Sequence, residues 1–130
     1  MNKYRNIQRA CNAGHKHDSI KEASYCDTLA LRVRARDIES YEVQKKFTLQ
    51  PNFKMRPIDQ NHIHPWRQRG EAVRAISYIV DFKIVHNNGM VEYVDVKGGK
   101  ATQTDTFKIK WKLLKFIYKD SPSVIFTIAD

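Results

Sequence analysis

Between Tyr78 and Gly99 the chain carries two β-rich runs separated by Asn87-Asn88-Gly89. The first centres on Tyr78-Ile79-Val80-Asp81-Phe82; the second reads Val91-Glu92-Tyr93-Val94-Asp95-Val96-Lys97-Gly98-Gly99. An Asn-Gly turn between such runs predicts a β-hairpin, with strands over Ala72–Val85 and Met90–Lys97. Alternation places Tyr78, Val80, Phe82 and Ile84 on one face of the first strand, and Ile79, Asp81 and Lys83 on the other. In the second strand Val91, Tyr93, Asp95 and Lys97 share a face. Each strand thus holds an acid where apolar residues are the rule. An acid on one strand, opposed by acid-x-lysine on the next, can hold a divalent cation with an amine beside it. The expectation is a metal-dependent nuclease.

The formal net charge of +9 fits that expectation, because Lys and Arg release counterions when they meet phosphate. A merely solvated basic surface gives the same total. At 130 residues the chain fits one domain that needs no disulfide framework to bury a core. Cys11 and Cys26 form no CxxC pattern and read as free thiols of a reducing cytosol. The first residues have no apolar core of a signal peptide, and no apolar run reaches membrane-spanning length. The expected location is cytoplasmic, with no membrane partner.

Residues 1–17 read as a basic N-terminal arm, with Lys3, Arg5 and Arg9 open to phosphate, and residues 18–130 as a single domain. His15 and His17 are two residues apart, yet a polar loop is preferred to a metal site because no third ligand is fixed nearby. Ser19-Ile20-Lys21-Glu22 matches a capping box, with Ser19 at the N-cap and Glu22 reaching back to its amide. The helix that follows gathers Ala23, Tyr25, Cys26, Leu29, Ala30 and Val33 on one face, with Glu22 among them. A carboxylate so placed is either a cap or an acid presented to a metal, and the pattern leaves both open. Arg32, Arg34 and Arg36 complement the helix dipole.

Ile38–Leu49 alternates as a half-buried strand, which Pro51 ends. An excursion over about 52–70 contains Trp66, Arg67 and Arg69, which suit stacking and phosphate contact with DNA. Trp66 pinning the loop to the core is the alternative. His62 and His64 form a second loop pair. After Lys100, Thr102 or Thr104 can cap a helix running to Lys119. Phe107–Leu113 also alternates like a strand, but the helical wheel stays coherent further. On it Lys108, Lys112, Lys115 and Lys119 form a ridge beside Phe107, Trp111, Leu114 and Tyr118. That ridge is either solvated surface or a phosphate track. Val124–Ile128 closes the pattern as a short apolar strand suited to a buried parallel position.

The order helix, three strands, helix, strand, with Glu22, Asp81 and Asp95-Val96-Lys97 in place, resembles the PD-(D/E)XK nuclease superfamily. More closely it resembles a small phage-type family of it, formerly catalogued as a domain of unknown function. The likeness runs through Asp18–Ala23, Gln44–Pro51, Tyr78–Phe82, Asp95–Lys100 and Phe107–Lys112. The resemblance implies an α/β (α+β) restriction-endonuclease-like core, a mixed four-stranded sheet flanked by helices. It implies that Asp81, Asp95 and the Val96 carbonyl coordinate Mg2+ or Mn2+, with Glu22 holding the metal directly or through water. Lys97 would orient or deprotonate the attacking water, with Gln44 in support. Lys100, Lys108, Lys112, Lys115, Arg67, Arg69 and Trp66 would contact DNA, branched DNA being the preferred substrate and a homodimer the expected assembly. The competing interpretations are a non-catalytic nucleic-acid-binding module and a protein-interaction subunit, with Asp95 and Lys97 as an ordinary strand ion pair.

Overall fold

The computed structural model describes residues 8–57, 70–99 and 102–130. A four-stranded sheet organises them, in the order β3 (Ser40–Gln50), β6 (Ile76–Val85), β7 (Val91–Val96), β8 (Val124–Ala129). The β3–β6 and β6–β7 pairs are antiparallel and the β7–β8 pair is parallel. Helix α1 (Ile20–Arg34) precedes the sheet, and α2 (Asp105–Ile117) makes the crossover that a parallel pair requires. This is the mixed α+β architecture expected, with β8 parallel as predicted but at the sheet edge.

Strand β7 is buried on both faces, and its alternation separates the two halves of the core. Val94 and Val96 pack with Ala23, Cys26 and Leu29 of α1; Tyr93 packs with Phe107, Trp111 and Leu114 of α2. Alternate residues of a strand point to opposite faces, so the helices cover opposite sides of the sheet. In β6 the predicted single apolar face divides. Tyr78 and Val80 belong to the α2 cluster, whereas Phe82 and Ile84 belong to the α1 cluster. The change falls at Asp81. In β3 Gln44 takes a left-handed φ of 53°, between the paired positions Val43↔Phe82 and Lys45↔Val80.

Two small hairpins interrupt the predicted scheme. Residues 8–17, expected to belong to an arm, include β1 (Arg9–Ala10) and β2 (Lys16–His17), an antiparallel pair in which Cys11 and His17 are buried. The segments β4 (Phe53–Lys54) and β5 (Ala72–Val73) pair at the base of the excursion. Gly70 there, at φ 84°, has the carbonyl oxygen of Met55 2.9 Å from where a Cβ would stand.

Both helices begin on the predicted caps. Ser19 Oγ accepts the Glu22 N–H at 3.1 Å, and the Asp18 backbone favours the ionised form of the Glu22 carboxyl group. Thr104 Oγ1 accepts the Phe107 N–H at 3.1 Å. Thr104→Ala leaves that donor without its cap and should cost about 1 kcal/mol, read as a lower urea midpoint at unchanged slope. Among the described residues no helix is long and apolar enough to cross a membrane.

Candidate functional site

Asp81 lies within β6, Asp95 in β7, Lys97 just beyond β7, and Glu22 in the first turn of α1. The fold brings these distant positions together. The β6–β7 ladder runs from Val85↔Val91 to Phe82↔Val94, and beyond it the Val96 N–H donates to Asp81 Oδ2 at 2.8 Å. A side chain here takes the place of a strand carbonyl. The Asp81 and Asp95 carboxyl groups lie close enough for each to feel the other's charge. Lys97 Nζ stands 3.6 Å from Asp95 Oδ1 and 4.2 Å from the centroid of the Phe107 ring, which holds the amine against α2. Tyr78 Oη donates to Asp95 Oδ2. Glu22 Oε2 approaches His17 Nδ1 at 3.7 Å.

The electrostatics of this cluster follow from burial and from like charge. Glu22 and Asp95 are buried and Asp81 is half-buried. Desolvation pushes Glu22 up to about 7, reinforced by the charges of Asp18 and Asp95 and opposed by Lys97. Desolvation likewise pushes Asp81 up to about 9, and the neighbouring Asp95 carboxyl group and the charge of Glu22 add to the rise. Burial and the Asp95 charge drive the Tyr78 phenol well above its ordinary range, so it stays a donor. Burial also lowers His17, with His15 reinforcing the effect, so the ring beside Glu22 favours the neutral form. Three carboxyl groups therefore share one region with one lysine in contact. They cannot all ionise cheaply unless further positive charge joins them.

Tyr78 is the member that sequence reasoning missed, having been counted with the apolar face of β6. The available signal was weak: a buried tyrosine hydroxyl needs a polar partner. Gln44 is exposed on β3, level with Asp81.

Lys108, Lys112 and Lys115 are exposed along α2. Two shallow hollows connect them to the acidic cluster. One is lined by Lys97, Gly99, Gln103 and Ile128, and the next, which shares Gln103 and Ile128, by Lys108, Lys112, Lys115 and Trp111. Lys119 pairs with Asp120 at 2.6 Å, so the fourth lysine of the ridge carries a compensating acid. Trp66, Arg67, Arg69 and Lys100, together with His62 and His64, lie outside the described residues.

A model of the family described as "Protein of unknown function (DUF1064)" matches residues 1–127. No curated protein and no solved structure matches the chain.

Proposed function

The chain belongs to this family of unknown function, and we propose that it is a metal-dependent endonuclease of the PD-(D/E)XK type that hydrolyses phosphodiester bonds in DNA. The observation that carries the proposal is the meeting of Asp81, Asp95 and Lys97 at the end of the β6–β7 ladder, with Glu22 electrostatically coupled to them. The donor set fits a hard divalent cation: carboxylate oxygens, buried, in excess of the positive charge beside them. Asp81 and Asp95 would hold Mg2+ or Mn2+, with the Val96 carbonyl as a further ligand and Glu22 bound directly or through water. Such an ion lowers the pKa of water and offsets negative charge on a phosphoryl oxygen.

The side chains have distinct tasks. Tyr78 holds Asp95 by one carboxylate oxygen. Asp81 is held by the Val96 N–H. Lys97 is set between Asp95 and Phe107, where its ammonium can orient the attacking water and offset charge on the scissile phosphate. The lysines of α2 continue the positive track away from the site along the connected hollows. Branched DNA is the substrate class proposed, cut by a homodimer.

The test is incubation of the purified protein with supercoiled, linear, single-stranded and four-way-junction DNA, with Mg2+, Mn2+ or chelator. Metal-dependent scission supports the proposal, and the preferred substrate shows which DNA structure is recognised. Salt-sensitive binding with no scission under any divalent ion overturns it in favour of a binding module. A separate expectation concerns the track. Replacing Lys108, Lys112 and Lys115 by Ala should weaken DNA binding about equally across sequences and flatten the plot of log affinity against log salt by up to about three.

A further inference from the structure

A second cluster stands apart from the acidic one, and it unites the two cysteines with the histidine pair of the N-terminal hairpin. Cys11, His15, His17 and Cys26 each offer a ligand atom, and the four atoms all lie within 4.8 Å of one another. Cys11 Sγ is 3.1 Å from Cys26 Sγ and 3.5 Å from His15 Nδ1, which is itself 3.4 Å from Cys26 Sγ. Zinc bonds of about 2.3 Å to sulfur and about 2.0–2.1 Å to nitrogen set tetrahedral donor atoms roughly 3.3–3.8 Å apart. The separations bracket that range, so small side-chain adjustments let one ion span the cluster.

Local backbone explains how residues so spaced converge. The Cys11 N–H donates to the His15 carbonyl and the Gly14 N–H to the Cys11 carbonyl, each at 2.9 Å. Gly14 takes φ 86°, which a side chain would resist, and the tight turn sets Cys11 beside His15. His17 is on β2 and Cys26 on the buried face of α1. The third ligand that sequence spacing did not supply thus comes from the start of the hairpin, and the fourth from the helix.

Two further observations point to an ion. His17 is 1 % exposed, and among the described residues neither of its ring nitrogens has a hydrogen-bond partner. Such a buried orphan is costly. The hairpin itself has two-residue strands and a largely exposed surface, too little to hold a fold by pairing and apolar burial.

We propose that Cys11, His15, His17 and Cys26 form a closed structural zinc site that staples the β1–β2 hairpin to α1. Two thiolates, two neutral imidazoles and Zn2+ sum to zero charge, which a buried site tolerates. The ion binds as both thiols release their protons to solvent, without redox change. With Nδ1 of His17 3.7 Å from Glu22 Oε2, Nε2 is the nitrogen left for the metal. The site has four protein ligands and therefore no open position for chemistry. The proposal does not rest on the hydrolytic reading above, although Glu22 borders both clusters.

The test is metal analysis of the full chain, purified under reducing conditions, followed by titration of the zinc-free protein with Co2+. Expected are about one zinc per chain, the visible bands of tetrahedral Co2+ and a near-ultraviolet thiolate-to-cobalt band. Cys11→Ser and Cys26→Ser should lose the charge-transfer intensity stepwise, while Asp95→Asn should retain zinc in full. Absence of both zinc and the cobalt bands in the unaltered protein overturns the proposal, whether or not the cysteine variants fold. So does undiminished zinc in the Cys11→Ser/Cys26→Ser double variant, or a native Cys11–Cys26 disulfide. No nuclease activity is read, so this result and the hydrolytic one fail separately.

Discussion

Asp95→Asn protein is expected to fold, to bind DNA, and to cut it at least about a hundredfold more slowly than the unaltered chain. The substitution keeps the shape of the side chain and an oxygen for the Tyr78 hydroxyl, so the core around β7 has little reason to move. What disappears is the negative charge that would hold the cation and pair with Lys97. Lys97→Ala should lose cleavage to a similar extent, and Lys97→Arg should restore little, because a planar fork cannot replace a compact ammonium beside Phe107. Binding persists in both because the exposed lysines of α2 are untouched. The measurement is initial cleavage rate under saturating DNA, with binding followed separately in chelator. Undiminished cleavage by both variants would remove Asp95 and Lys97 from the chemistry.

The second large effect is on stability, and its sign follows from the raised carboxyl groups. Glu22 moves from 4.5 to about 7 and Asp81 from 3.8 to about 9 on folding. Through that window the folded chain holds protons that the unfolded chain has already released. The contribution of these two groups to stability therefore falls as pH rises, from its greatest value below the unfolded values, near 4, to complete loss above about 9, and the lowered His17 opposes it in part. In magnesium-free buffer the melting temperature should drop by on the order of 5 °C or more across this range. If the proposed site holds Mg2+ or Mn2+, excess metal should recover much of the loss at high pH, by an amount that grows with metal concentration. Asp81→Asn should flatten the profile. Calorimetry at a series of pH values, with and without divalent ion, decides it, and a melting temperature that rises with pH would contradict the assigned burial.

The parts of the fold that could be read in advance are those whose residues repeat with a period. The alternation of Tyr41, Val43, Phe47 and Leu49 marks β3, and the Asn-Gly turn marks the β6–β7 hairpin. For α2 two periods competed, since Phe107–Leu113 alternates; the wheel through Leu114 and Tyr118 described it correctly. The β1–β2 and β4–β5 hairpins have two residues per strand, too few to carry any period. The acidic cluster was legible because three of its members interrupt apolar patterns, and a charge in such a place needs a reason. Tyr78 was not, because tyrosine on a strand face is ordinary until its hydroxyl is seen against Asp95. The sulfur–imidazole group was not either. Its members fall in a short segment without periodicity and at one helix position, and the turn at Gly14 with the packing of α1 makes neighbours of them.

The bond from Val96 to Asp81 has a geometric consequence for the pair of strands. Asp81 acts as a stop on a zipper: while its carboxylate occupies the Val96 amide, the two backbones cannot close further. The room between them is thus secured by the same side chain that would supply charge to it. An amide at position 81 can keep the stop and lose only the charge, whereas an aliphatic residue frees the Val96 N–H and invites the strands to seal. Charge at this position and separation of the two strands are therefore inherited together, and no apolar replacement can surrender one alone.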